Sequence, residues 1–499
     1  MPFSVRHFAE DDKLCHHMTF DVLQDLFPLA LLEQVLTDCH AWEKRERALN
    51  MVTILYLIIA LTLFPRLTVA GVLRRLASGA RFLWPDPRVA LPTDSALCQR
   101  RQQLGVTPLR QLFRRCCRPQ ATPQTKGAFR WGRRVVAIDG TSEDVAETPA
   151  NANFFGRLTD GPSKSPFPQL RALYLVECAT HAIFDAVAAP CRVAEARLAP
   201  VLLRSIEADM LVLLDRGVFT GPLIESLHDK QAQVIAGLES HVLTKPVTRL
   251  RDGSSLAYLS PQSSRGLRKP LLLRVITYRV YAPDLPCHGE VRRLATTLLD
   301  PKQAPAKEVI ALYHERWEIE LTIDEHKTHL RQAQQPLRSR CPQSVLQEFY
   351  GMLLLHHGLR FLMHQAALEE DLDPDRLSFS HAIEVVQQAV HEFALVPLDE
   401  RPAEIARLRA DLRSCLLPAR RLRFNARVVK RPLSRFRRKR YWHLDGPHLK
   451  GSSFPEILLI SMVLSPCGCP VWGLRLVRIG VIHHAPVPPP MTLTLPKTH

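Results

Sequence analysis

Two short apolar runs each end on an aspartate. Val135-Val136-Ala137-Ile138 leads into Asp139, and Met210-Leu211-Val212-Leu213-Leu214 leads into Asp215. Carboxylates at strand ends are well placed to hold hard cations, although a single Asp in that position is also common in turns. A third acid comes from a helical stretch further along. At about 100° per residue, Tyr313, Arg316, Glu320 and Lys327 fall on one helical stripe about 60° wide. The stripe carries one acid flanked by two cations and a phenol. An acid to hold a metal beside donors for phosphate oxygens is the composition that phosphoryl transfer needs. Asp324 lies near enough to the stripe to compete with Glu320, while Glu315, Glu318 and Glu325 read as ordinary charges of a solvated face.

The elements that must position these groups change character along the chain. Up to about residue 125 the texture is helical, with apolar stretches at Leu26 to Leu36, Met51 to Phe64 and Val69 to Leu76. Thr93-Asp94-Ser95 is an N-cap cluster for a helix to Leu104, Gly105 stops it, and a second helix runs from Pro108 to Cys117. With Arg100, Arg101, Arg110, Arg114 and Arg115 facing out, this pair fits a helix-turn-helix or an ordinary helical hairpin. Pro119 to Gly127 reads as a linker. Strands at Leu173 to Val176, Ile183 to Val187 and Gln233 to Ala236 then alternate with helices at Ala194 to Ile206 and Phe219 to Leu227, which predicts an α/β core. Residues 240–300 are β-rich, notably Leu271 to Tyr281 and Arg293 to Leu299, with a turn at Asp252-Gly253. One long helix, Pro305 to Gln332, and further helices to about 415 follow. A basic run occupies 420–440, and the proline-rich residues 445–499 are expected to be poorly ordered. The expected divisions are 1–125, 126–239, 240–300, 301–335, 336–444 and 445–499.

The bulk numbers agree with a charged partner. The 499 residues carry 66 Lys+Arg against 49 Asp+Glu, a net charge of +17, with 46% hydrophobic residues and a pI near 9.6. That hydrophobic fraction supports a real core, and the basic balance points to a polyanion such as nucleic acid. None of the 12 cysteines forms a C-x-x-C pair, which argues against a zinc finger and fits reduced thiols in a cytosol. The opening residues have no secretory h-region, and Met51 to Phe64 is short for a membrane span. A cytoplasmic protein without membrane contact is expected.

The segment Tyr313 to Lys327, YHERWEIELTIDEHK, matches Y-x2-R-x3-E-x6-K. This is the YREK signature of the insertion-sequence-four family of DDE transposases, which the chain resembles over roughly 20–440. VVAIDGT at 135–141 resembles that family's first-aspartate strand. MLVLLDRGVF at 210–219 resembles its second-aspartate motif, with Val218 as one extra residue. Residues 337–367, 373–379 and 427–440 resemble its later helical and basic segments. The resemblance implies an α/β fold: an RNase H-like catalytic core interrupted by a β-rich insertion, with an all-helical N-terminal domain and a helical C-terminal region. It assigns catalysis to Asp139, Asp215 and Glu320, which would bind two Mg²⁺ ions, Mn²⁺ being a possible substitute. Tyr313, Arg316 and Lys327 would grip the DNA backbone. Arg216 would reach phosphate or form a structural ion pair, and Lys430, Arg431 and Arg435 of the basic run would bind backbone. The implied partners are double-stranded DNA (terminal inverted repeats and target), met by a homodimer on paired ends in a bacterial nucleoid. Excision through a hairpin would bring in an aromatic to stack a flipped base, with Trp317, Tyr258, Tyr278 and Tyr281 as candidates. Two other readings stay open: a nuclease of the same fold that cuts without joining, and a transposase-derived DNA-binding protein without catalysis.

Overall fold

A computed structural model of the chain describes residues 27–43, 49–76, 92–160, 163–239, 242, 244–260, 264, 266–281, 290–331, 335–392, 396, 399–418, 459–461 and 477–478. Five helices come first: α1 (Leu29–Asp38), α2 (Met51–Ala60), α3 (Val69–Leu76), α4 (Asp94–Leu104) and α5 (Thr107–Cys116). Asn50 caps α2 by accepting from the Thr53 N–H at 2.8 Å, and all ten residues of the helix are buried. Gly105 ends α4 at a φ of 73°, a left-handed conformation that glycine adopts without a Cβ clash. The outward-facing arginines expected here are only partly found. Arg100 is buried and donates to the Leu49 carbonyl at 3.0 Å, and Arg101 is buried and donates to Ser339 Oγ and the Ser344 carbonyl at 3.2 Å. Buried guanidinium groups persist where carbonyls satisfy them, and these carbonyls belong to distant segments invisible to local spacing.

Next comes a large mixed sheet. Its strands are β1 (Phe129–Arg130), β2 (Arg133–Asp144), a small pair β3 (Thr159–Asp160) and β4 (Ser163–Lys164) set apart, β5 (Gln169–Glu177), β6 (Ile183–Pro190), β7 (Met210–Leu214) and β8 (Gln233–Gly237). Helix α6 (Pro149–Phe155) follows β2, α7 (Glu195–Leu202) follows β6, and α8 (Gly221–Asp229) connects β7 to β8. The central row runs β8-β7-β2-β5-β6. Strands β8, β7 and β2 are parallel, and β5 and β6 are antiparallel. The β-rich segment forms β9 (Thr244–Arg249), β10 (Ser255–Leu259), β11 (Leu271–Tyr281) and β12 (Val291–Thr296). It extends the same sheet, because β12 pairs with β8 through Leu294↔Gly237, Ala295↔Ala236 and Thr296↔Ile235.

Alternation along the strands divides the core. Val135, Ala137, Leu211, Leu213 and Ile235 join the helices on one face. Val136, Ile138, Val212, Leu214, Val234 and Ala236 join α7, α8 and the β-rich segment on the other. The first face is covered by α9 (Ala306–His314), α10 (Trp317–Asp324), α11 (Pro342–Glu369), α12 (Phe379–Glu392) and α13 (Arg401–Arg413). Helix α11 passes through the centre of this layer and crosses α2, where Gly351 lies against the Ile58 backbone.

The single helix expected over 305–332 is in fact three pieces. Between α9 and α10 the amides of Glu315, Arg316, Glu318 and Ile319 bond three residues back, which overwinds the chain. After α10, Glu325–Leu330 widens into a π-helical turn. The basic run, with Lys430, Arg431 and Arg435, lies outside the described residues. So does most of 445–499. Two short strands within it are described, β13 (Leu459–Ser461) and β14 (Val477–Arg478), and they add to the β11 edge, so this tail is not wholly irregular. No helix among the described residues is long and apolar enough to cross a membrane.

Candidate active site

Register brings the two aspartates together. The last parallel pair between β2 and β7 is Ile138↔Leu214, so Asp139 and Asp215 follow side by side; Asp215 lies just past the end of β7, whereas β2, expected to end on Asp139, runs on to Asp144 by pairing with β5. Ile138 and Leu214 point into the α7/α8 layer. The next residue of a strand faces the other way, which turns Asp139 toward the layer that holds α10. Glu320 reaches the same place from α10.

All three carboxylates converge on one guanidinium. Arg316 Nη1 lies 3.3 Å from Asp139 Oδ2, and Nη2 lies 3.3 Å from Glu320 Oε1 and 3.9 Å from Asp215 Oδ1. Arg316 is buried. Burial pulls its pKa down, but Asp215, Tyr313, Asp139 and Glu320 outweigh that and hold it above the ordinary arginine value. Burial pushes Asp139 up to about 6 against the pull of Arg316, and the charges of Asp215 and Glu320 add to the rise. The Gly140 N–H donates to Asp139 Oδ1 at 2.8 Å and fixes one oxygen. Three carboxylates sharing one cation form an all-oxygen donor set suited to a hard divalent ion.

The other stripe residues are turned inward. Lys327 Nζ donates to Thr141 Oγ1 at 2.7 Å and to the Ser142 carbonyl at 2.8 Å. The Tyr313 hydroxyl is packed against Gly237, the last residue of β8. Burial pushes that phenol up to about 12, so it stays a neutral donor. Arg216 is exposed, with its Cγ also close against Gly237. Gly237 was not singled out from the sequence; the signal available was a third apolar run leading into a residue with no side chain, after two that lead into acids.

The rest of the expected set divides clearly. Asp324 is turned away from the aspartates, with its Oδ1 accepting from Thr328 Oγ1 at 2.6 Å, so it does not compete with Glu320. Trp317 and Tyr258 are exposed, whereas Tyr278 is fully buried and unavailable to a base; the side chain of Tyr281 lies outside the described residues. Glu318 and Glu325, expected on a solvated face, are both buried. They belong to a polar cluster on the side of α10 away from β2. His181 Nε2 lies 2.9 Å from Glu318 and 3.2 Å from Asp375, and His181 Nδ1 lies 2.9 Å from Glu325. His181, Glu318 and Asp375 have metal-ligand chemistry and spacing. However, the Arg360 guanidinium pairs with Glu325 and approaches His181 Nδ1 at 2.6 Å, which gives the cluster its own counter-charge.

Comparison with known proteins agrees with this geometry. The model described as insertion element 4 transposase N-terminal matches residues 17–114, and the transposase DDE domain model matches residues 130–356. The chain is 28% identical over 424 residues to the Escherichia coli (strain K12) transposase InsG for insertion sequence element IS4, covering 82% of this chain and 91% of that protein. It is 29% identical over 143 residues to the putative transposase InsZ of the same organism, covering 27% of this chain and 46% of that one. Among solved structures it is similar to a piggyBac transposase synaptic complex with hairpin DNA, at 13% identity and a TM-score of 0.41, covering 80% of this chain and 85% of that one. That last match is too distant to bear on the argument. The two family models lie end to end on the chain, the second spans all three carboxylates, and the InsG match runs through both: the chain belongs to the insertion-sequence-four family of DDE transposases.

Proposed function

We propose that Asp139, Asp215 and Glu320 are the catalytic carboxylates of a DNA transposase. It cuts at the ends of its element and joins the freed 3′-hydroxyl to target DNA. One observation carries this reading: three acids from separate segments meet around one buried guanidinium where the parallel pairing of β2 and β7 ends. The strand order, three parallel strands flanked by two antiparallel ones, supports an RNase H-like core into which the β-rich segment is inserted.

Asp139, Asp215 and Glu320 would hold two divalent cations, Mg²⁺ by preference. When bound, these supply Lewis-acid activation of the attacking oxygen and charge neutralisation at the leaving oxygen. The remaining work falls to the chain. Arg316 neutralises the three acids in the DNA-free protein and is within reach of a phosphate once their charge is met otherwise. Tyr313, as a neutral phenol, donates a hydrogen bond to a phosphoryl oxygen without ionising. Lys327 supplies a point charge beside β2, and Arg216 lies at the exposed edge of the same site. The burial that raises Asp139 also excludes water, which strengthens every electrostatic contact there. The N-terminal helices would supply end recognition to a dimer, and the basic run would supply affinity.

The test is a cleavage and joining assay on duplexes carrying the element's own ends, with Asp139→Asn, Asp215→Asn and Glu320→Gln as controls. Cleavage and joining by the wild type, lost in all three variants, is the expected result. Cutting without joining would favour the nuclease, and binding without cutting the non-catalytic descendant.

A further inference from the structure

Between Glu320 and Lys327 the chain enters the π-helical turn Glu325–Leu330. Such turns are rare and collect at functional sites. Here Glu325 is gripped by three side chains from two other elements. Arg360 of α11 donates through Nε at 2.9 Å and again through Nη2, His356 Nε2 lies at 3.1 Å, and His181 Nδ1 from the β5–β6 turn lies at 2.9 Å. The Arg360 guanidinium is itself seated over the Phe379 ring of α12, 5.3 Å from its centroid. A buried ion pair adds little net stability over hydrocarbon of the same volume, and where it is retained it can serve to specify one arrangement. The arrangement specified here is rotational. Glu325 and Lys327 are two residues apart, so they point to nearly opposite sides of the turn. With Glu325 locked into α11, Lys327 is aimed at Thr141 and Ser142, two and three residues beyond Asp139.

We propose that Glu325, clamped by Arg360, is a positioning residue: it sets the rotation of the π-helical turn and thereby places the Lys327 ammonium beside the catalytic aspartate strand for contact with the DNA being cut and joined. The DNA half of this statement rests on the proposed function; the placement half does not.

The experiment uses the full chain and two readouts. The first is acetylation of lysines by N-hydroxysuccinimide acetate without DNA, followed by peptide mass spectrometry, with the exposed Lys302 as internal reference. The second is joining of pre-cut ends under single turnover. Glu325→Gln leaves Arg360 buried without its partner and can unfold the chain. The double variant Glu325→Leu with Arg360→Met therefore replaces the whole pair by hydrocarbon of similar size and keeps the core filled. In that variant, labelling of Lys327 relative to Lys302 rises about five-fold or more. Joining falls by about the 10²-fold that a misplacement of 1 Å brings, and adding Lys327→Ala causes no further loss. Unchanged Lys327 labelling in the folded double variant overturns the placement. Raised labelling with normal joining, or a joining defect that multiplies with that of Lys327→Ala, overturns the role toward DNA. If the wild type joins no DNA, the functional reading fails while the labelling still decides the placement.

Discussion

Gly237 is the residue whose replacement tests the packing of the site most sharply. A methyl group built on its Cα would lie 2.5 Å from the Tyr313 hydroxyl, 2.6 Å from Arg216 Cγ and 3.3 Å from the Arg216 amide nitrogen. Ordinary contact begins near 3.4 Å, so the phenol must retreat by 3.4 − 2.5, about 0.9 Å. It cannot do so freely, because Tyr313 is packed in the helical core and its neighbour Arg216 is pressed at the same time. Overfilling a packed site costs roughly 1–3 kcal/mol. A shift near 1 Å in a phosphate-binding group lowers the rate by about 10²-fold. Gly237→Ala is therefore expected to lower the urea midpoint and the joining rate together. Adding Tyr313→Phe removes the atom in closest contact but not Arg216, so the double variant should regain part of the lost stability while joining stays low. The assays are chemical unfolding and single-turnover joining. Wild-type stability and joining in Gly237→Ala would refute the argument, as would a double variant less stable than the sum of its parts.

Arg316→Met leaves three carboxylates facing one another. Removing one partner of a buried ion pair costs ~3–5 kcal/mol, less here because Asp215 is 37% exposed. Thermal unfolding should show a larger stabilisation by Mg²⁺ in this variant than in the wild type, and equal shifts would count against Arg316 as the internal counter-charge. Gly351→Ala would set a Cβ 2.7 Å from the Ile58 carbonyl oxygen, so it should lower stability by ~1–3 kcal/mol while leaving joining at 25 °C near normal; a selective loss of joining would contradict this. Burial lowers His314 and His357 to about 3. Unfolding at pH 4–6 therefore takes up about two protons through them, and their stabilisation is lost as pH falls from 6.5 toward 3. Asp139, raised to about 6, and Asp375, pushed well above the usual carboxylate range by burial, act in the opposite sense and offset part of this. His326, His356 and His364, each lowered chiefly by burial, steepen the loss. Stability should therefore fall as the pH drops below 6, the buried histidines outnumbering the raised carboxyls; a urea midpoint that holds or rises on acidification would be inconsistent with neutral buried histidines.

The acids were legible because a local signal led to each: an apolar run ending on Asp139, another ending on Asp215, and Glu320 on a helical stripe. Their adjacency is a matter of register, and both runs stop at the same level of the sheet. The stripe holds for Arg316 and Glu320 although the helix is not ideal, because they are only four residues apart and the widened turn begins beyond both. What stayed hidden depends on distant partners. Glu325 looks like any surface glutamate until Arg360, 35 residues away, and His181, 144 residues away, fold onto it. Arg100 and Arg101 resemble an exposed basic face for the same reason. The break between α9 and α10 carries no Pro or Gly to announce it, since packing against the sheet rather than local preference decides it.

The β-rich segment is tied to the start of α9 by a pair of side chains. Asp252 accepts from the Ala306 N–H at 3.1 Å and pairs with Arg274, which is fully buried. Arg274 in turn donates to the Ala304 carbonyl at 2.6 Å. Recombination between related elements therefore has unequal tolerance along the gene. A crossover between codons 252 and 274, or between 274 and 306, would pair a buried guanidinium with a foreign neighbour and strand its charge. Exchange of the whole block from before Asp252 to beyond Ala306 would carry donor and acceptors together. Chimeras with junctions on either side of that block should express as folded protein, and those with junctions inside it should not.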